Sequence, residues 1–226
     1  MARVVKEPSV RRNEILEVAQ RLVQTRGYEQ MAIQDILDEL RLSKGAFYHY
    51  FDSKQTLLEA LVERNLEEVQ RLLVPIAEHP SLRALEKLRQ YFALIVRWKI
   101  ERKSLVLELA RVWYTDDNAI VRDKVHAVGV NRVAPRLAAI IRQGVEEGDL
   151  ATDYPDQAGA ITLSLVRDLN EVLARLLLAF APESDDPRPL STTVAAYTDA
   201  LERVLGARSG SLQIIDEPSL RDWLLS

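Results

Sequence analysis

Leu42-Ser43-Lys44-Gly45-Ala46-Phe47-Tyr48-His49-Tyr50-Phe51 is the stretch on which the reading of this chain turns. Ser43 suits a helix N-cap, because its hydroxyl can accept from a free backbone N–H of the first turn, and the pattern predicts a short helix over 44–50. On a helical wheel Phe47 and Phe51 share one side and must face a core, whereas Gly45 and His49 point the opposite way, with Lys44, Ala46, Tyr48 and Tyr50 on the flanks. Such an outward face is poorly explained by stability, since Gly45 alone costs roughly 1 kcal/mol against Ala. A glycine there makes sense where backbone must approach another molecule closely. The Ser43 hydroxyl, Lys44 and the tyrosine hydroxyls are donors suited to phosphate oxygens.

Working outward, Ile15, Val18, Ala19, Leu22 and Val23 form one apolar stripe and predict a helix over 11–26, with Gly27 as its C-terminal cap. Ile33, Ile36, Leu37 and Leu40 repeat the spacing on a second short helix. A tight turn at Arg41 and Leu42 then leads to Ser43, so 32–51 reads as a helix-turn-helix whose last helix can enter the major groove of DNA. Asp52 or Ser53 can cap a fourth helix carrying Leu57, Leu58, Leu61, Val62, Leu66, Val69 and Leu73, which Pro75 is expected to end.

Beyond Pro80 the helical pattern continues without strand signals, predicting helices at about 81–99, 102–114, 118–147, 156–180 and 190–205. A polar break falls at 182–189, and a short amphipathic helix at 220–225 follows a Gly/Ser spacer. The fold class is therefore all-α, with a helix-turn-helix domain over 11–55, a basic arm over 1–10 (Arg3 and Lys6, continued by Arg11 and Arg12), a larger helical domain over 56–206 and a tail over 207–226.

Composition bounds the function. The chain has 226 residues, no cysteine and a net charge of −4, so disulfides and thiolate metal sites are out. Residues 1–54 carry nine Lys/Arg and eight Asp/Glu, net +1, and residues 55–226 carry 21 and 26, net −5. That asymmetry is too mild to point to nucleic acid by itself. No apolar run reaches the length of a membrane span and no signal-like stretch opens the chain, so a cytoplasmic protein without membrane association is expected. His49, His79 and His126 are too scattered for a metal site. No phosphate-cradling glycine loop or nucleophile motif is present, so neither catalytic residues nor a cofactor are expected.

The stretch from Ile36 through Leu42-Ser43-Lys44-Gly45-Ala46-Phe47-Tyr48-His49-Tyr50-Phe51-Asp52-Ser53-Lys54-Gln55-Thr56-Leu57-Leu58, preceded by Arg26-Gly27-Tyr28, closely resembles the DNA-binding domain of the tetracycline-repressor (TetR/AcrR) family. Further along, only a turn at Ile140-Ile141-Arg142-Gln143-Gly144 to Glu147-Gly148-Asp149-Leu150 is similar. The resemblance implies phosphate contacts from Ser43, Lys44, Gly45, Tyr48 and Lys54, and base-edge or groove contacts from Gln34, Ala46 and His49, with Tyr50 serving either purpose. Two departures stand out. Ala32 replaces the family's usual Thr near the start of the second helix, removing an N-cap. Arg41 replaces the usual Gly of the turn, must accept that glycine's backbone geometry, and is a further phosphate contact in this reading.

One recognition helix reads too few base pairs to find an operator, and two copies ~34–36 Å apart solve that by symmetry. The apolar stripes Ile161, Leu165, Leu169, Val172, Leu173, Leu176 on one helix and Tyr197, Leu201, Val204 on the next offer a homodimer surface. The resemblance implies a four-helix interface built from them. Tyr91, Phe92, Trp98, Glu108, Arg111, Trp113, Tyr114, His126 and Asn131 mix aromatic and polar groups in the manner of a pocket for a small organic effector of unknown identity. The expected function is a ligand-released repressor on double-stranded, palindromic operator DNA. The alternative is a helical adaptor that keeps the fold without binding an operator.

Overall fold

In the computed structural model the described residues are 7–181 and 186–225, and they form ten α-helices with no strand among them. The first four are α1 (Pro8–Arg26), α2 (Ile33–Leu40), α3 (Lys44–Tyr48) and α4 (Lys54–Ala77). The helices α5 (Ala84–Glu101), α6 (Lys103–Trp113), α7 (Ala119–Glu146), α8 (Pro155–Ala179), α9 (Arg188–Leu205) and α10 (Glu217–Leu225) follow, with a single 3₁₀ turn at Asp116–Asn118 before α7.

Three boundaries correct the sequence reading. Helix α1 begins at Pro8, because proline at the first helical position has no N–H to lose and a φ already suited to the helix. Residues 8–10 are therefore helical rather than part of an arm. Arg11 pairs with Glu14 at 2.8 Å and Arg12 lies over the Phe51 ring, while Arg3 and Lys6 fall outside the described residues. Pro75 does not end α4. It sits in the last turn, where one missing bond is tolerated, and the Glu78 N–H continues the pattern to the Val74 carbonyl at 3.0 Å. The tail helix starts three residues before its expected position, at Glu217.

The chain divides into two compact units, and not at residue 55. The first holds the chain up to Glu67 together with Ser104–Val121; the second holds Glu68–Lys103 and the chain from Arg122 on. The core of the first is built from Ile15, Leu16, Leu22, Ile36, Phe47, Phe51, Leu57 and Leu61, all buried, and α6 contributes Leu105, Leu109 and Val112 to it. Helix α6 thus packs as part of the helix-turn-helix unit, although 102–114 was expected to belong to the larger domain. Its apolar face finds its cover there, a choice that periodicity alone does not make.

In the second unit α8 and α9 pack together along their length, and Leu88, Tyr91, Phe92, Leu137, Ile141, Leu169, Leu173, Leu201 and Leu205 form the buried centre. The turn after α7 is fitted to α5. Glu147 accepts from the Ala84 N–H at 2.8 Å and from Gln143 at 2.7 Å, and these hydrogen bonds, the Gln143 one foremost, hold its carboxyl below the usual range. Asp149 pairs with Arg83 at 2.9 Å, and a Cβ at Gly144 would stand 2.5 Å from the buried Leu150, so no larger residue fits there. The tail belongs to this unit. Leu212, Ile214, Leu220 and Trp223 are buried, the buried Glu202 accepts from the Gly210 and Leu212 N–H groups, and Lys103 Nζ donates to the Trp223 carbonyl at 2.5 Å. No helix of the described residues is long and apolar enough to cross a membrane.

Candidate nucleic-acid interface

The short helix α3 is capped as its sequence requires: Ser43 Oγ accepts from the Ala46 N–H at 3.2 Å. Phe47 is fully buried and Phe51 nearly so, their rings 5.8 Å apart in the core of the first unit. With those two side chains committed inward, the opposite face is forced outward. Ser43, Lys44, Gly45, Tyr48 and His49 are exposed, Tyr48 to 40%, while Ala46 and Tyr50 are half-buried. A Cβ built on Gly45 would meet nothing within 4 Å among the described residues, so none of them demands glycine there.

The turn before α3 is shaped by Arg41. It adopts φ 51°, ψ 46°, the one non-glycine residue with positive φ among the described residues, and caps α2 by donating its N–H to Asp38 and Leu37 carbonyls. The geometry is the left-handed one that glycine takes freely, so Arg41 holds it at a cost of roughly 1 kcal/mol. Its side chain is exposed. Ala32 offers no side-chain oxygen to α2, and only the Asp35 carboxylate helps, accepting the Ala32 N–H at 2.8 Å.

Two of the expected DNA-contacting residues are already engaged within the chain. Gln34 is exposed and donates to Asp38 Oδ1 at 2.6 Å. Lys54 is half-buried, its Nζ donating to the Glu29 carbonyl at 3.0 Å and lying 4.5 Å from the centre of the Tyr28 ring. Tyr28 in turn donates to the Lys54 carbonyl at 3.0 Å, and burial pushes its hydroxyl up to about 12. Lys54 therefore ties the segment after α1 to the start of α4.

The nine expected effector residues are divided between the two units. Glu108, Arg111, Trp113 and Tyr114 lie in the first unit, where Glu108 and Arg111 pair at 3.2 Å and Trp113 packs on the core. Tyr91 and Phe92 are core residues of the second unit, their rings 6.1 Å apart. Trp98 is buried there too, its Nε1 donating to Glu68 at 3.1 Å under the Arg102 guanidinium. Asn131 is exposed.

His126 lines an open cleft of about 210 Å³ together with Ser164, Arg167, Asp168 and Glu171. Loss of solvent and the Arg167 charge hold the imidazole below its usual range, with Asp123 opposing them. The four α8 residues were missed in the sequence, yet 164, 167, 168 and 171 follow the helical spacing of a single polar face and could have been found there.

Of the residues expected at a dimer interface, Leu169, Leu173 and Leu201 are buried inside their own chain. Leu165, Val172, Leu176, Tyr197 and Val204 are half-buried, and Ile161 is 43% exposed. Tyr197 donates to Asp168, joining α9 to α8.

A short helix with its phenylalanines buried and its small, hydroxylated and basic residues open, carried on a three-helix unit, has the geometry of a helix-turn-helix, a motif whose last helix can enter the major groove of DNA. The family model "Bacterial regulatory proteins, tetR family" matches residues 15–61, the part of the chain that builds this motif. Residues 15–61 thus match the DNA-binding domain of that family, and the chain is similar along most of its length to helix-turn-helix transcriptional regulators.

The chain is 24% identical over 205 residues to the HTH-type transcriptional regulator YfiR of Bacillus subtilis (strain 168), covering 86% of this chain and 94% of that protein. It is 26% identical over 146 residues to the HTH-type transcriptional repressor DhaR of Mycobacterium sp. (strain GP1), covering 64% and 73%. Its fold is that of a TetR-family transcriptional regulator from Pectobacterium atrosepticum, with a TM-score of 0.63 at 21% identity over 87% of this chain and 95% of that one.

Proposed function

We propose that this protein is a ligand-released repressor that binds a palindromic operator as a homodimer, through the open face of α3. The observation that carries the reading is Gly45: it weakens a five-residue helix, none of the described residues occupies the space beside it, and Tyr48 and His49 flank that space in the open. A DNA backbone seated against Gly45 gives the residue its reason. Ser43, Lys44, Tyr48 and Arg41 supply donors to phosphates, and Ala46, His49 and Tyr50 reach the groove. Lys54 and Gln34 hold the flanking helices and offer their remaining donors to the same backbone.

Dimerisation uses the outward sides of α8 and α9, where Ile161, Leu165, Val172, Leu176, Tyr197 and Val204 are incompletely covered. A small organic effector acts on the second unit. It releases DNA only if it binds the DNA-incompetent form more tightly. The change reaches α3 through the segments that join the units, α4, the Lys103–Ser104 link and α7.

The test is a fluorescence titration of inverted repeats from the DNA upstream of the protein's own gene, with light scattering for subunit number. A dimer whose affinity falls steeply with salt is expected. Tyr48→Ala and Gly45→Ala are expected to weaken binding to every sequence, the glycine change while stabilising the fold by up to about 1 kcal/mol. His49→Ala is expected to relax preference at one or two base pairs, at about 1–3 kcal/mol if the contact is direct. No binding to any inverted repeat at low salt overturns the reading in favour of an adaptor.

A further inference from the structure

One stripe of α5 runs from the buried Leu88 and Phe92 to the half-buried Ile95 and Lys99; a stripe of α8 runs Val166, Asn170, Leu173 and Leu177, of which Leu173 is buried and the others half-buried. At that spacing each position belongs on an apolar seam, yet the two helices place a lysine and an asparagine there and join them, Lys99 Nζ donating to Asn170 Oδ1 at 2.6 Å. Among the described residues no carboxylate is paired with Lys99. A cation set between helices with a neutral amide as its partner is poorly compensated, and an apolar pair would have packed there without the desolvation cost. The same helix leaves another polar group unmet: Thr162 is fully buried and its hydroxyl has no hydrogen-bond partner. Stability accounts for neither feature.

We propose that Lys99 and Asn170 form the head-group end of the effector site, and that the effector is a small organic anion, a carboxylate on an apolar body. This rests on the ligand-released reading above. The ligand's carboxylate takes the countercharge position beside Lys99, and its apolar body runs along the seam marked by Phe92, Ile95, Val166 and Leu173. Burial lowers the Lys99 ammonium to about 8 in the free protein. An arriving anion reverses that, so binding near pH 8 draws a proton from solution.

Calorimetric titration of the full chain at pH 8 with octanoate, decanoate and benzoate, in two buffers of different ionisation enthalpy and with 1-octanol as the neutral comparison, reads this directly. At least one carboxylate is expected to bind with uptake of up to about half a proton per chain, since a group titrating near 8 is about half deprotonated there. Lys99→Met is expected to lose tenfold or more in affinity together with the proton uptake. Lys99→Arg, whose guanidinium stays charged, restores binding without uptake. Equal carboxylate affinity in wild type and Lys99→Met, or no binding of any of the three, overturns the assignment. Release of operator DNA by 1-octanol but by no carboxylate also overturns it while leaving the repressor reading intact. A carboxylate that binds with the Lys99 signature and leaves DNA affinity unchanged supports the site and sinks ligand release instead.

Discussion

Gln55, the second residue of α4, donates its side-chain amide to Asn118 Oδ1 at 3.1 Å, fastening the start of the helix after α3 to the turn between α6 and α7. Asn118 is buried and fully used. Its Nδ2 also donates to the Val112 carbonyl at 3.0 Å and to Thr115 Oγ1 at 3.2 Å. The segment that follows α6 is thereby latched to the helix-turn-helix unit through one side chain.

Asn118→Ala removes three hydrogen bonds at once, the one from Gln55 and those to the Val112 carbonyl and the Thr115 hydroxyl. It is expected to destabilise the first unit by about 1–3 kcal/mol in urea unfolding, and Gln55→Ala by less because Gln55 is exposed. A double-mutant cycle is expected to show coupling of about 0.5 kcal/mol or more, and strict additivity would remove the latch from the account.

Arg41 carries a backbone conformation meant for glycine and a side chain open to solvent. Arg41→Gly is expected to raise stability by up to about 1 kcal/mol by relieving the left-handed strain. The same change is expected to weaken DNA binding by removing a cation. Unchanged affinity in the titration above strikes Arg41 from the interface.

Tyr28 in the first unit and Tyr91 in the second are both pushed up to about 12, foremost by burial. Each holds its proton more tightly folded than unfolded, so its contribution is complete below pH 10 and is lost as pH rises towards 12. Unfolding free energy is expected to fall across that window. Absorbance titration is expected to show Tyr28 and Tyr91 ionising late, with Tyr197 also displaced upward by its hydrogen bond to Asp168, and the absence of any late step contradicts the burial.

The orientation of α3 was legible because four residues specify it locally. Phe47 and Phe51 demand a core, Ser43 demands a helix start, and Gly45 serves neither, so local rules alone orient α3. Arg41 was legible for the same reason, a backbone need tied to one position. Helix ends were less so. Pro8 and Pro75 are tolerated where their missing N–H costs little, which depends on the turn they occupy rather than on the residue.

The larger part was decided in three dimensions. Periodicity says that α6, α8 and α9 each have an apolar side but not what covers it. Leu109 went to the helix-turn-helix core, while Leu169, Leu173 and Leu201 were consumed inside their own subunit. The scattered aromatic and polar residues read as one pocket are divided between two units, because side chains 10 or 30 positions apart share a site only when tertiary packing brings them together. By itself the sequence determined an all-helical chain with a helix-turn-helix whose last helix must turn its polar face outward. The meeting of Lys99 with Asn170 and of Gln55 with Asn118 was decided only by the packing of helices far apart along the chain, because hydrogen bonds of that range follow the fold and leave no periodic trace.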